Sequence, residues 1–330
     1  DMLYIFPKGK KNYFEATIQA ARDIGIRFHP YRGSMSLSKK DGALFPDEVA
    51  QDSETVLLET EQSIKKYHDD SESSMLRIGI APCTIFTSSK EDFENAVTLS
   101  KKYNVNLQTH LSESEFENDY SVKQFKKRPY RYLSDLGWKG ERVSFTHCIH
   151  VKADEIQSLA KTKTNVVHCP ISNAREPIGE SGIAPVWEML KANLNVSVGV
   201  DGSAGNDSSN ILEELRWART IQGMRKESTY LKPYQTLQMG TINGARLLNW
   251  SDRIGSLEEG KAADIAVFSR NNIESAGSIW DPVGSLIVNQ AMRADVVMVN
   301  GEVVVKDQEL VRMSEKNIIN RLSPQLKGDH

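Results

Sequence analysis

The sequence predicts an α/β protein, a parallel TIM-type (β/α)8 barrel followed by part of a small β domain. Three observations support this fold class. From residue 12 onward, amphipathic helical segments alternate with short apolar runs rich in Val and Ile, the pattern of repeated βα units. Polar side chains follow the ends of several of these runs. Beyond about Ile254, short β-like runs around turns replace the alternation.

Six runs are predicted as barrel strands because each is short, apolar and bounded by turn residues. They are Arg27 to Arg32, Leu76 to Pro82, Asn106 to Ser112, Val143 to Ile149, Asn165 to Pro170 and Asn195 to Asp201. The helices expected between them include Tyr13 to Ile24, Ser53 to Tyr67, Glu91 to Tyr103, Lys152 to Lys161 and Ser208 to Met224. A closed barrel of this type has eight strands, so the first two are expected to be missing and the chain to start inside a folded domain.

The C-terminal part begins after a helical stretch around Tyr234 to Asn249. Its predicted strands are Ala263 to Phe268, Ala294 to Val299 and Glu302 to Val305, the last two joined by the turn Asn300-Gly301. We therefore expect residues 1–253 to form the barrel, with strands 3–8 and the C-terminal helices. Residues 254–330 are expected to form the C-terminal part of a small β domain.

Composition restricts the class of function. The chain has 41 basic and 44 acidic residues, a net charge of −3, so no strong field would attract nucleic acid or an anionic membrane. No stretch approaches the ~20 apolar residues of a membrane-spanning helix. The three cysteines, Cys83, Cys148 and Cys169, form no CxxC pair, which indicates reduced thiols and a cytoplasmic location. A small molecule is the expected partner.

Four predicted strand ends carry histidine or carboxylate side chains. They are His110 with Glu113, then His147, His168 and Asp201. Barrel enzymes place their sites on the face where strands end. One such histidine is more often a core residue, but four polar strand ends in succession favour a site, and His and Asp suit Zn²⁺ or Fe²⁺.

Several segments carry a family resemblance. They are RGSMSLSKKDGALFPDEVAQ from Arg32, THLSES from Thr109, THC from Thr146, HCPISN from His168, GIAP from Gly182, VGVDGSAGNDSSN from Val198 and IGSLEEGKAADIAVF from Ile254. In this order they resemble the amidohydrolase superfamily of metal-dependent hydrolases. Within it they are most similar to the branch of 8-oxoguanine deaminases and s-triazine hydrolases.

The resemblance implies roles for individual residues. His110 and Asp201 would be ligands of one divalent metal, zinc in first place and iron as the alternative. Glu113 would be the proton shuttle, and His147 would hold the metal-bound water or the substrate carbonyl. Asp201 would also orient the attacking oxygen, so Glu113, His147 and Asp201 are the expected catalytic residues.

Other residues have two interpretations each. Arg32, Asn206 and Asp207 are candidates for binding substrate. A strand-end Arg is more often an ion-pair partner, however, and Asn206 and Asp207 could cap the helix that follows them. His168 is balanced between a site residue and a structural part of the HCPISN turn.

One family feature does not occur in the sequence. The superfamily signature HxH, whose two histidines join those matching His110 and Asp201 around the metal, is absent. A catalytic zinc has about three protein ligands, and the sequence predicts two, so we expect weak metal binding and little activity from this chain alone.

The leading functional hypothesis is a hydrolytic deaminase that converts 8-oxoguanine to urate and ammonia. Guanine, isocytosine or a hydroxy-s-triazine are alternative substrates. A hypothesis of another class is a non-catalytic, truncated remnant without a complete metal site. The H-x-E and P-C-x-x-C pattern of polynucleotide deaminases does not occur, and a homo-oligomeric state is left open.

Overall fold

A curled sheet of seven parallel strands forms the centre of the protein. The structure is a computed structural model, and it describes residues 1–9, 12–43, 45–175, 182–206, 208–225, 231–273, 275–289 and 292–322. The strands lie side by side in chain order, so each βα unit adds one strand to the same edge. They are β1 Met2–Leu3, β2 Tyr31–Ser34, β3 Gly79–Pro82, β4 Leu107–Leu111, β5 Val143–His147, β6 Asn165–His168 and β7 Val196–Val198.

Helices connect these strands and cover the outside of the sheet. In chain order they are α1 Tyr13–Ile24, α2 Ser53–Tyr67, α3 Lys90–Tyr103, α4 Glu115–Phe125, α5 Pro129–Asp135, α6 Ala153–Lys161, α7 Pro170–Arg175, α8 Val186–Lys191, α9 Ile211–Gln222, α10 Pro233–Met239 and α11 Ile242–Leu247. The predicted helix over Tyr234 to Asn249 is thus two helices, because the chain turns at Gly240 and Thr241.

The predicted barrel class is confirmed, with seven strands in the described chain rather than six. The added strand, β1, is only two residues long and pairs Met2 with Tyr31 and Leu3 with Arg32. The strand predicted from Arg27 lies later, at Tyr31–Ser34, and Phe28 forms only an isolated bridge to Leu76. Pro30 explains this shift, because proline has no N–H to donate to a ladder.

Helix α3 shows how local sequence determines where a helix begins and ends. Its first turn is closed by Ser89, whose side chain accepts from Asp92 N at 3.2 Å, while the Asp92 carboxylate accepts from Ser89 N at 2.9 Å. Asn104 ends the helix in the left-handed conformation (φ 57°). The buried face includes Phe93, which packs edge-on against Trp138 with ring centroids 5.2 Å apart.

A second, antiparallel sheet follows in the order β11-β10-β9-β8. Its strands are β8 Ile265–Val267, β9 Val296–Val299, β10 Glu302–Lys306 and β11 Glu309–Leu310. The predicted turn between β9 and β10 is present, with positive φ at Asn300 (50°) and Gly301 (83°), as a tight hairpin turn requires.

Two further helices belong to this C-terminal region, α12 Pro282–Val288 and α13 Glu315–Leu322. Helix α12 packs against α9 and α10, so the chain returns to the barrel helices after β8. The division of the chain at residue 253 remains a prediction. None of the helices in the described ranges has both the length and the apolar character needed to cross a bilayer.

Candidate active site

Side chains from the ends of three strands, β4, β5 and β7, converge at the carboxyl edge of the parallel sheet. His110 lies near the end of β4, His147 is the last residue of β5, and Asp201 follows β7. The register pairs His110 with Thr146 and Leu111 with His147, so His147 lies one residue beyond the position opposite His110, on the neighbouring strand. This is the edge where barrel proteins build their sites.

The distances within this group are short. His110, His147 and Asp201 each offer one ligand atom, and the three atoms lie within 4.8 Å of one another. The two imidazole rings are stacked, with centroids 5.3 Å apart and planes inclined by 18°. Glu113 adds a second carboxylate, because its Oε1 lies 3.3 Å from His147 Nε2, and Asp201 Oδ2 lies 3.8 Å from the same nitrogen. The structure therefore brings all four predicted residues together.

The backbone at these strand ends is unusual. His147 and Asp201 have positive φ angles of 71° and 64°, as does Ser112 at 48°, next to Glu113. Residues other than glycine seldom adopt this region. Such conformations cluster at functional sites, where the surrounding structure holds them in place.

Hydrogen bonds fix the orientation of each candidate ligand. His110 Nδ1 lies 2.7 Å from the carbonyl oxygen of Cys83, and His147 Nδ1 lies 2.8 Å from Asn173 Oδ1. The Asp201 carboxylate accepts from Ser172 Oγ at 2.5 Å and from the N–H of Gly202 at 2.8 Å. Because the Nδ1 atoms of both rings face acceptors, the Nε2 atoms are the ones available to bind a metal ion or to contact a substrate.

The electrostatics of the site favour an ionised Asp201. Burial alone would raise the pKa of this carboxyl, but the electrostatic interaction with His147 and the Ser172 hydrogen bond outweigh burial and hold the pKa below its usual value. Glu117 behaves oppositely, because burial raises its pKa to about 7. Its carboxyl accepts from the N–H of Glu113 at 3.0 Å and so supports the turn that carries the predicted proton shuttle.

The donor set fits a divalent metal ion. Two imidazoles and one carboxylate are ligands that suit zinc, and about three protein ligands with one open position are typical of catalytic zinc. His147 Nε2 is buried and makes no hydrogen bond of good geometry to the described residues. Ligand atoms bound to one tetrahedral ion would stand ~3.4 Å apart, so atoms that now lie up to 4.8 Å from one another would have to approach by up to about 1.4 Å. The structure thus offers three donors where the sequence predicted two.

Of the three predicted substrate-binding residues, the two that the structure describes, Arg32 and Asn206, have their hydrogen-bond partners outside this group. Arg32 is 2 % exposed, and its Nη2 donates to Glu59 Oε2 at 2.6 Å and to Gln51 Oε1 at 2.8 Å. It lines a cavity of about 790 Å³ that contains none of the four site residues, whereas His110 and Asp201 line a separate cavity of about 600 Å³. For Arg32 the structure therefore shows the ion-pair environment, and substrate binding remains a prediction.

Asn206 is likewise engaged elsewhere. Its Nδ2 donates to the Glu214 carboxylate and its Oδ1 accepts from Ser208 N at 3.1 Å. Asp207, the third of these predictions, lies outside the described residues. His168 is 1 % exposed, and among the described residues neither ring nitrogen has a hydrogen-bond partner. Burial and the nearby His147 lower the pKa of His168 to about 3, so it is neutral.

Sequence reasoning missed the residues that support the site. Ser172 and Asn173 hold Asp201 and His147, and the carbonyl of Cys83 holds His110. The only signal for Ser172 and Asn173 was their place in the HCPISN segment. A main-chain acceptor such as the carbonyl of Cys83 has no sequence signal at all.

The curled parallel sheet with imidazole and carboxylate donors at its carboxyl edge defines a barrel protein of the metal-hydrolase class. Comparison with known proteins gives the family. The sequence model of the Amidohydrolase family matches residues 5–304, and the chain belongs to this family.

Two individual relatives show which enzymes of the family this chain is similar to. The chain is 38% identical over 301 residues to an 8-oxoguanine deaminase from Pseudomonas aeruginosa, covering 91% of this chain and 66% of the relative. It is 32% identical over 305 residues to a hydroxydechloroatrazine ethylaminohydrolase from Pseudomonas sp. strain ADP, covering 91% of this chain and 62% of the relative. The chain thus spans slightly less than two thirds of the length of each of these relatives.

Solved structures agree on the fold. Atrazine chlorohydrolase TrzN from Arthrobacter aurescens TC1, complexed with zinc, superposes with a TM-score of 0.91 at 31% identity, covering 98% of this chain and 71% of that chain. An adenosine deaminase from Xanthomonas campestris with bound zinc reaches a TM-score of 0.85 at 24% identity, covering 96% and 69%. Both neighbours hold zinc.

Proposed function

We propose that this chain is from a metal-dependent hydrolytic deaminase that acts on an amino group of a purine-like ring, with 8-oxoguanine converted to urate and ammonia. The observation that carries the proposal is the convergence of His110, His147, Glu113 and Asp201 at one edge of the barrel. Two imidazoles and two carboxylates within a few ångströms provide both a metal site and a group that carries protons.

The choice of substrate is supported by the 38% identity to a protein named 8-oxoguanine deaminase. Other relatives are named for 5-methylthioadenosine, S-adenosylhomocysteine and triazines. Guanine, isocytosine and hydroxy-s-triazines, the alternatives expected from the sequence, remain the alternative substrates. All are near-neutral rings with a substituent at a carbon between ring nitrogens, so they require the same chemistry and differ in the pocket they need.

In this proposal His110 and Asp201 hold the ion, with zinc as the first candidate because both zinc-containing neighbours share the fold. A bound divalent ion would supply Lewis acidity and would lower the pKa of a water from its bulk value toward about 7. The stacked ring of His147 lies beside His110, where its Nε2 can face the ion as a third donor, or the attacking oxygen or the substrate.

Glu113 is the proposed proton carrier. Its side chain is 22% exposed and points at His147 Nε2 from 3.3 Å, so it can reach both the water and a ring seated in the pocket. As the C–O bond forms, Glu113 accepts a proton from the water. It then delivers that proton to the departing nitrogen, so that the C–N bond breaks with release of ammonia rather than an amide ion. Asp201, whose Oδ2 lies 3.8 Å from His147 Nε2, orients the attacking oxygen.

The test measures ammonia release by the full polypeptide that the gene encodes, loaded with Zn²⁺ and offered 8-oxoguanine, guanine, isocytosine and a hydroxy-s-triazine in parallel. We expect turnover of 8-oxoguanine and its loss on chelation. Glu113→Gln should lower kcat by about 10²-fold or more with metal content unchanged, because a general acid/base is lost. His110→Ala should lose the metal itself.

Glu115→Gln is the matched control, since Glu115 lies two residues away and pairs with His150 at 2.9 Å, outside the group. It should keep near wild-type turnover. A metal-loaded protein that releases ammonia from none of the four substrates would refute the proposal and favour a non-catalytic relative. Unchanged kcat in Glu113→Gln would refute the role of Glu113. The cytoplasmic location and a homo-oligomeric state also remain predictions.

A further inference from the structure

Two adjacent residues of the short helix α7 each contact a different member of the site. Ser172 Oγ donates to Asp201 Oδ2 at 2.5 Å, and Asn173 Oδ1 lies 2.8 Å from His147 Nδ1. Both residues are buried, with 0% and 4% exposure. One helical turn therefore contacts both a side chain from β5 and a side chain from the loop after β7.

The helix that carries this pair is itself held in place. The N–H of Asn173 donates to Cys169 O at 2.9 Å, and that of Ile171 donates to the buried carboxylate of Glu214 at 3.3 Å. Gly205 packs so closely that a Cβ at its position would stand 2.6 Å from Ser172 Oγ. The positions of Ser172 and Asn173 are thus determined by the barrel and not by solvent.

The contact with Asn173 selects one form of the His147 ring. An amide oxygen can only accept a hydrogen bond, so His147 Nδ1 must carry the hydrogen. In the neutral ring Nε2 then bears the lone pair, and it is Nε2 that lies between Glu113 and Asp201. His110 is arranged in the same way by the carbonyl of Cys83.

We propose that Asn173 is a positioning residue that holds His147 in its Nδ1-protonated tautomer and aims Nε2 at a metal ion bound by His110 and Asp201. The inference rests on the metal site of the proposed function. Partners of this kind orient ligands, and their loss typically weakens metal binding ~10–100-fold. Ser172 serves Asp201 in the same way by occupying one side of its carboxylate.

The experiment compares Zn²⁺ affinity, measured by competition with a chromophoric chelator, in wild type, Asn173→Ala, Asn173→Asp and Ala174→Ser. Asn173→Ala removes the acceptor and should bind Zn²⁺ ~10–100-fold more weakly. Asn173→Asp keeps an oxygen at the same place and should restore most of the affinity. Ala174 is the next, exposed residue of α7, so Ala174→Ser should match wild type. A ¹⁵N imidazole spectrum of the wild-type protein should show hydrogen on His147 Nδ1.

The outcomes separate this inference from the proposed function. If wild type binds no metal, the proposed metal site fails. If wild type binds and Asn173→Ala binds equally well, or if the Asp and Ala variants lose affinity equally, the positioning role is refuted while the metal site stands. Hydrogen on His147 Nε2 alone would also overturn the inference, and this readout needs no variant, so it holds even if Asn173→Ala fails to fold.

Discussion

The ion pair between Arg27 and Asp264 joins the chain before β2 to the chain before β8, and its removal should measurably destabilise the protein. Arg27 Nε lies 2.6 Å from Asp264 Oδ2, and Nη2 lies 3.0 Å from Oδ1. The two side chains are 7% and 21% exposed. Asp264 Oδ1 also accepts from Asn300 N at 2.8 Å, so this one carboxylate connects the barrel with the turn of the small sheet.

The expected loss follows from these contacts. At about 3 Å and an effective dielectric constant of ~20, the attraction between unit charges is about 5 kcal/mol, most of which offsets desolvation. Removing one partner of a fully buried pair costs ~3–5 kcal/mol. Asp264 is one-fifth exposed, and Arg27 keeps contacts with Ser74 O and the Trp250 ring. We therefore expect Asp264→Asn, which retains an acceptor for Asn300, to cost about 2–3 kcal/mol.

The assay is urea and thermal unfolding of wild type, Asp264→Asn, Arg27→Met and the double variant. With ~2.1 cal/mol/K of unfolding entropy per residue, the loss corresponds to a fall in Tm of about 3–4 °C. Glu141→Gln is the matched control, because the Lys163–Glu141 pair has an N–O distance of 2.7 Å but is 75% and 62% exposed. It should leave Tm nearly unchanged. A coupling between Arg27 and Asp264 below about 0.5 kcal/mol in the double-mutant cycle would refute the reasoning.

Further predictions concern pH and packing. Burial alone would raise the pKa of Asp264, but hydrogen bonds from Arg27 and Asn300 outweigh burial and lower this pKa. The ionised carboxylate therefore stabilises the fold at pH values above ~3.9, the pKa of Asp in the unfolded chain. This stabilisation is lost as the pH falls through the lower pKa of the folded state. The stability difference between wild type and Asp264→Asn should accordingly shrink below about pH 4 in acid unfolding curves, and a constant difference down to pH 2 would contradict this. Gly79→Ala places a methyl group 2.4 Å from the buried Tyr31 ring and should cost about 1–3 kcal/mol in the unfolding free energy. Gly244→Ala, within α11 and with nothing within 4 Å of the new methyl, should instead stabilise by about 0.5–1 kcal/mol; equal effects of the two changes would show that the close contact at Gly79 has no energetic consequence.

Local sequence signals determined much of the fold. The predicted bounds of α1 and α2 are those of the structure, because helical periodicity and flanking residues such as the capping Asp52 act within a few residues of each other. The hairpin at Asn300-Gly301 was predictable for the same reason. Strand β1 was not, since two residues carry no periodicity and their pairing depends on Tyr31 and Arg32, far along the chain.

The sequence by itself also named the group at the centre of the site, His110, Glu113, His147 and Asp201, because residues at the ends of parallel strands must meet at one edge of the sheet. Only the tertiary structure decided the environment of each side chain. It placed Arg32 in an ion pair with Glu59, and it supplied the Asn173 acceptor that orients His147. These contacts depend on which atoms face each other after distant segments pack. The pattern of residues along the chain does not predict that packing.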